Sequence, residues 1–414
     1  MSDDELIYDW NQEVPASVSI DHDRRIELND ETLRDGLQSP SVTDPPIEKK
    51  IEILDLMVEL GIDAADIGLP AAGPAVQKQV EALACHIAHN KLPIRPNCAG
   101  RTLPADVDPI IAASQKSGIA LDAALFLGCS PIRGLVEGWS VEKMGEIAEK
   151  AIRYARDNGL PVMFVTEDTT RSSPDVLRHL YTTAIEAGAE RICAADTTGH
   201  ATPSGTRRLV SFLRKLVDDS APNIQIDWHG HNDRGLGLVN AVFAIEAGAD
   251  RVHATALGVG ERCGNTSMEI LLANLHLSRT STRSLVSLMK YCRLVAEALE
   301  VPIPVNHPVV GRDAFRTATG VHAAAVLKAM RQENGELADQ IYSSIPASLV
   351  GRRQRIEVGP MSGASNVQYW LMENGYAPND FLIKCVLDEA KRSKRALSDE
   401  QLKTIVKSVE TAGR

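Results

Sequence analysis

Ala184-Ile-Glu-Ala-Gly-Ala-Glu-Arg-Ile and Ala244-Ile-Glu-Ala-Gly-Ala-Asp-Arg-Val are nearly the same nine residues, repeated 60 positions apart. Each block has the form of a helix end, a glycine stop and the first residues of a strand. Weaker copies stand at Glu59-Leu-Gly61-Ile-Asp-Ala-Ala-Asp-Ile, at Lys116-Ser-Gly118-Ile-Ala-Leu-Asp-Ala-Ala and around Asn158-Gly159-Leu-Pro-Val-Met-Phe-Val. A recurring helix, glycine and strand junction means recurring βα units. Short apolar runs bounded by turn residues give eight expected strands, over 25–29, 64–68, 94–97, 123–127, 162–166, 191–195, 224–228 and 251–256. Eight such units close a (β/α)8 TIM barrel.

That fold places its chemistry at the C-terminal ends of the strands. Polar segments follow the runs: Glu31-Thr-Leu-Arg-Asp-Gly, Glu167-Asp-Thr-Thr-Arg, Asp196-Thr-Thr-Gly-His, His229-Gly-His-Asn-Asp and Gly258-Val-Gly-Glu-Arg-Cys-Gly-Asn. A doubly wound sheet does not supply reactive groups from so many successive strands, and no G-x-G-x-x-G follows the first run. The expected division is an N-terminal extension over 1–24, the barrel over 25–280 and a mainly helical C-terminal subdomain over 281–414. In the last, helices are expected over 282–299, 315–330 and 368–374. Loops are expected at Gly351-Arg-Arg-Gln-Arg and Val358-Gly-Pro-Met-Ser-Gly, and Ser398-Asp-Glu-Gln401 reads as a capping box before a final helix.

Composition narrows the function. With 44 Lys and Arg against 55 Asp and Glu, the net charge of -11 argues against a general nucleic-acid binder. Seven scattered cysteines with no C-x-x-C pair read as reduced thiols of a cytoplasmic protein. The acidic N-terminus lacks a signal-peptide pattern, and no uncharged apolar run reaches membrane-spanning length.

His229-x-His231 at a strand end puts two imidazoles on one face, because strand side chains alternate. Asp35, at the end of the first strand, converges on the same barrel mouth. Two imidazoles and a carboxylate form a divalent-metal site for Lewis-acid chemistry, magnesium, manganese and zinc all suiting such donors. The plainer alternative is that Asp35 salt-bridges Arg34. Asn265 offers a further oxygen ligand or, equally, a helix cap. Its glycine-rich loop also suits the phosphates of an acyl carrier.

Leu33-Arg34-Asp35-Gly36-x-Gln38-Ser-Pro, His229-Gly-His231-Asn-Asp-x-Gly-Leu-Gly and Gly258-x-Gly260-Glu261-Arg262-x-Gly264-Asn265 resemble the isopropylmalate and homocitrate synthase family of metal-dependent TIM-barrel Claisen enzymes. The resemblance runs in order from about Glu27 to about Val367. It implies condensation of acetyl-CoA with a metal-chelated 2-oxo acid, followed by thioester hydrolysis. It implies metal ligation by Asp35, His229, His231 and Asn265, charge stabilisation by Arg34 and proton transfer by Glu167. Gln38, Ser130, Arg133 and Thr197 are the implied substrate-binding residues, Thr197 at the oxo-acid carboxylate. Thr319-Gly-Val-His322-Ala and Ile341-Tyr342-Ser-Ser-Ile-Pro match the motifs whose His322 and Tyr342 help deprotonate the acetyl methyl. They do so in the partner's barrel of a homodimer.

Two departures bear on the subfamily. Leu37 replaces the usual glutamate and also occurs in hydroxymethylglutaryl-CoA lyase relatives, which leaves an acyl-CoA lyase or aldolase as the alternative. Arg133 stands where isopropylmalate synthases have histidine; it would pair with a second anionic group on the oxo acid, or else is a solvated loop residue. The sequence stops where longer isopropylmalate synthases begin a leucine-binding domain, so feedback through such a domain is not expected.

Overall fold

The computed structural model describes residues 24–332 and 335–412, so the expected extension over 1–24 lies, but for Arg24, outside the described residues. The chain divides into two compact units, one of 24–284 with Lys290–Pro302, the other of Leu285–Met289 with 303–412. Among the described residues no helix is long and apolar enough to cross a membrane.

The first unit is a closed barrel of eight parallel strands in sequential order. They are β1 (Glu27–Asp30), β2 (Ala64–Asp66), β3 (Arg95–Arg101), β4 (Asp122–Gly128), β5 (Val162–Glu167), β6 (Arg191–Asp196), β7 (Gln225–Gly230) and β8 (Arg251–Ala254). β8 pairs with β1, with Leu28 opposite Val252, and the ring closes. Each strand lies on an expected run. The two near-identical blocks end their helices in the same way: Ala189 N–H donates to Ala184 O at 3.0 Å and Ala249 N–H to Ala244 O at 2.9 Å. Such a terminus turns through a left-handed residue, and Gly188 (φ 105°) and Gly248 (φ 114°) supply it. The acid that follows caps the next ladder: Asp250 Oδ2 accepts from Ile226 N–H at 2.7 Å. Asp63 Oδ2, in the weaker copy, accepts from Leu28 N–H at 2.9 Å.

The bottom of the lumen is filled largely by ionic contacts, some between neighbouring strands and some across the ring. Arg191 on β6 reaches Glu27 on β1, and donates to Asp227 on β7 at 2.8 Å. Arg251 on β8 donates to Asp227 at 2.6 Å and touches the Met163 sulfur on β5 at 3.4 Å. The third partner of Asp227 is His253 Nε2, at 2.8 Å. Burial works against the charge on Asp227, yet Arg251 and Arg191 hold its carboxyl far below the ordinary range. The two arginines are the Arg of each repeated block. An apolar layer would fill the bottom of such a barrel more cheaply, since desolvated ion pairs gain little net stability. This layer instead fixes the orientation of β8 and of His253 above it.

In the second unit, helices Ala364–Glu373, Asp380–Arg392 and Asp399–Ala412 share a core of Val367, Trp370, Leu371, Leu382, Val386, Leu402 and Val406, while helix Gly320–Arg331 packs Ala323, Val326 and Leu327 with Ile356 in a separate cluster and a short helix spans Gly335–Gln340. The capping box is formed: Ser398 N–H donates to Gln401 Oε1 at 2.9 Å and Gln401 N–H to Ser398 Oγ at 3.3 Å. Two helix boundaries differ most from expectation. The helix expected over 315–330 begins at Gly320, because Arg316–Thr317 forms a strand, β9, pairing in parallel with β10 (Arg355–Ile356) at the end of a segment read as loop. The helix expected over 282–299 spans only Leu288–Ala298.

Replacing Asp227 by alanine strands two guanidiniums in the lumen without their shared counter-charge, and such broken buried pairs cost about 3–5 kcal/mol. We expect the urea midpoint of Asp227→Ala to fall by that equivalent with an unchanged slope; a loss below about 1 kcal/mol would remove the network from the fold's foundations.

Candidate active site

A cavity of about 200 Å³ opens at the C-terminal ends of the strands. Its polar lining comes from Glu31, Arg34, Asp35 and Gln38 after β1, Asp66, Glu167, Thr197, His229, His231, His253 and Glu261. Alternation along Asp227-Trp-His229-Gly-His231 sends the three polar residues inward and leaves Trp228 fully buried against the outer face of the barrel. An antiparallel bridge between His231 and Asn265 ties the β7 end to the loop after β8.

Asp35, His229 and His231 each offer a ligand atom, all within 4.8 Å of one another. Asp35 Oδ2 lies 3.9 Å from His229 Nε2 and 3.8 Å from His231 Nε2, too long for hydrogen bonds and close enough for one cation to join them. His229 Nδ1 is held at 2.8 Å by Glu31, the outer carboxylate contact that orients a metal-binding imidazole. Asn265 donates to Asp35 Oδ1 at 2.9 Å, and its buried Oδ1 has no hydrogen-bond partner, which suits a further oxygen ligand. These residues fit a divalent cation.

Arg34 is the electrostatic centre of this cluster. Its Nε donates to Asp66 at 2.7 Å, Nη1 to Asp35 at 2.7 Å and to Gln38 at 3.3 Å, and Nη2 meets Glu31 at 3.0 Å. Burial works against the charge on Glu31, but Arg34, His229 and His253 hold it well below the carboxylate range. Burial pushes Asp66 up to about 6 and Glu167 upward as well, the latter against the pull of Arg133 and Arg34. A carboxyl poised above its usual range is suited to proton transfer near neutral pH. Thr197 also lines the cavity, and its hydroxyl accepts the Asp168 N–H at 2.8 Å.

Other expected site residues lie elsewhere. Ser130 is fully buried and caps helix Pro131–Glu137 through the Arg133 N–H at 3.4 Å. Arg133 lies across Gly128, pairs with Glu137 at 3.1 Å and is not among the cavity-lining residues. His322 and Tyr342 belong to the second unit, where their rings stack at 4.0 Å with Tyr342 about half exposed. Sequence reading passed over Glu31, Asp66, His253 and Glu261. Glu31, His229 and His253 form a second group with metal-ligand spacing, but both imidazoles are already in short contact with Glu31. The signal for His253 was its place two residues beyond Arg251, on the same inward face.

The HMGL-like family model matches residues 25–295. The chain is 33% identical to a homocitrate synthase AksA of Methanopyrus kandleri over 93% of its own length and 94% of the relative's. It is 32% identical to a homocitrate synthase of Pyrococcus horikoshii, over 92% and 99%. A 2-isopropylmalate synthase of Methanocaldococcus jannaschii is 30% identical over 93% of this chain and 70% of its own. Among solved structures, an HMG-CoA lyase from Acinetobacter baumannii in complex with coenzyme A and 3-methylmalate shares the fold, with TM-score 0.57 and 23% identity over 70% of this chain and 94% of that one. The matched barrel and the relatives covering over nine-tenths of the sequence lead to one statement: the chain belongs to the HMGL-like family.

Proposed function

We propose that this chain is a divalent-metal-dependent acyltransferase that condenses acetyl-CoA with a 2-oxo acid and hydrolyses the resulting thioester, giving a 2-alkylmalate or homocitrate-type product and free CoA. The observation that carries this reading is the convergence of Asp35, His229, His231, Arg34 and Glu167 on one cavity. The names of relatives spanning both units support a synthase over the acyl-CoA lyase alternative; the lyase structure aligns with 70% of the chain.

Asp35, His229, His231 and Asn265 would hold the cation, which when bound supplies Lewis-acid polarisation of the oxo-acid carbonyl. Arg34, fixed by three carboxylates, places a guanidinium where negative charge develops on oxygen. Thr197 and Gln38 orient the oxo acid at the mouth, and Glu167 moves a proton there. The stacked His322 and Tyr342 act on the acetyl methyl in the barrel of a second copy, in a homodimer. Gly260 serves the ligands by having no side chain: a Cβ there would stand 2.1 Å from Asn265 Nδ2 and 2.9 Å from Asp35 Oδ1.

Thiol release from acetyl-CoA should require a 2-oxo acid, vanish on chelation and return with magnesium, manganese or zinc. Glu167→Gln should lower kcat by about 10²–10⁴-fold. Cleavage of an acyl-CoA without an oxo acid would establish the lyase instead. Gly260→Ala should weaken divalent-ion binding about 10–100-fold by calorimetry with the circular dichroism spectrum unchanged. Co-expressed Glu167→Gln and His322→Ala chains should regain about a quarter of the parental activity, because half of randomly paired dimers carry one intact site. No recovery would confine His322 to its own barrel.

A further inference from the structure

The cavity has two unlike sides, and the second bears on which oxo acid it takes. The imidazoles and most of the carboxylates come from β1, β2, β7, β8 and the loops after them, Glu167 at the end of β5 being the exception. Across the mouth, β3 to β6 present Ala99, Ala124, Phe126, Met163, Val165 and Cys193. Register puts these on one continuous face: Ala99 is opposite Ala124, Ala124 opposite Met163, Phe126 opposite Val165 and Val165 opposite Cys193. Ala124, Met163 and Cys193 pack into a cluster that Val165 completes, and none of the six carries a charge.

Among the described residues, no lysine or arginine lines this side of the cavity. Arg34 is engaged by Glu31, Asp35, Asp66 and Gln38. Arg251 is fully buried behind Met163 and held by Asp227. Arg133 pairs with Glu137 outside the lining, although its charge reaches Glu167. Asp66, Glu167 and Glu261, by contrast, add negative charge to the walls. A distal carboxylate would be desolvated against methyl and aromatic groups and repelled by its neighbours. An alkyl or aryl chain would meet the same wall with favourable burial. The wall is also recessed, because Ala99, Ala124 and Ala195 extend only a methyl group into the cavity.

Resting on the acyltransferase reading above, we infer that the oxo acid carries an uncharged apolar side chain of at least three carbons, seated on the wall formed by β3 to β6. Ala124 sets the room available to it.

The test is kcat/KM for metal-replete, full-length enzyme with acetyl-CoA and pyruvate, 2-oxobutanoate, 2-oxoisovalerate, 2-oxoisocaproate, phenylpyruvate, oxaloacetate or 2-oxoglutarate. One of the larger apolar acids should exceed pyruvate by ~10-fold or more and both dicarboxylic acids by ~100-fold, the range that pocket discrimination of this kind reaches. Ala124→Leu should lower the ratio of that acid to pyruvate by ~10-fold or more, a ratio that loss of folded protein leaves unmoved. Preference for a dicarboxylic acid overturns the inference, and abolition of that preference by Arg133→Gln would assign the choice to Arg133. Preference for pyruvate, or an unmoved ratio in Ala124→Leu, overturns it as well. Thiol release with no acid at all overturns the acyltransferase reading together with this one, whereas the preceding outcomes leave that reading standing.

Discussion

Asp227 accepts from Arg191, Arg251 and His253 in the closed lumen of the barrel, and the site above is built on that junction. His253 passes the constraint upward. Its Nε2 is fixed by Asp227 and its Nδ1 lies 2.8 Å from Glu31, which in turn holds His229 Nδ1. The two carboxylates outweigh the burial of His253 and raise its affinity for a proton. A ring held at both nitrogens by carboxylates cannot rotate without breaking both contacts. The orientation of one candidate metal ligand therefore traces through Glu31 and His253 to two arginines in the repeated helix, glycine and strand blocks. Fold and site share one set of interactions.

The same logic explains why Arg34 is crowded. A guanidinium offers donors in a rigid fork, and here Nε, Nη1 and Nη2 each point at a different carboxylate. Lysine, with one point charge on a flexible stem, would satisfy one of them. Arg34 thus holds the ends of β1 and β2 in a fixed relation and presents its remaining face to the cavity.

Much of this was legible because barrel geometry imposes local signals. Positive-φ glycines after helices mark most of the βα units and polar residues follow most of the strands, so the strands could be placed from Gly188, Gly248 and their weaker copies. Asp35, His229 and His231 were legible for the same reason, since strand ends meet at one mouth. The lumen network was not: Arg191 and Arg251 look like ordinary strand-entry charges, and only closure of the ring brings them to Asp227. Arg316–Thr317 was absorbed into the helix that follows because a two-residue strand has no periodicity of its own, and its partner Arg355–Ile356 lies some 40 residues away. Helix Asp380–Arg392, capped by Asn379, was passed over although its apolar positions Leu382, Val386 and Ala390 recur at helical spacing. Ser130, expected at the substrate, caps a helix N-terminus through the Arg133 N–H.

Three carboxylates, Glu31, Asp35 and Asp66, face the single guanidinium of Arg34, and a buried excess of negative charge must be relieved by a proton or a cation. The two routes fall on different residues. Burial pushes Asp66 up to about 6, so the proton route falls on Asp66 and opens only as pH drops toward that value, its carboxylate otherwise resting on Arg34. For Asp35 burial is outweighed by Arg34, and its carboxyl stays below the ordinary range. Burial and the neighbouring His229 lower His231 to about 4, leaving that ring neutral at physiological pH. An ionised carboxylate beside a neutral imidazole is the protonation state that metal ligation requires. The desolvation that shapes the pocket thus leaves an ionised Asp35 beside a neutral His231, the donor state a cation would need, while the alanine, methionine and valine side chains of β3 to β6 add no charge of their own.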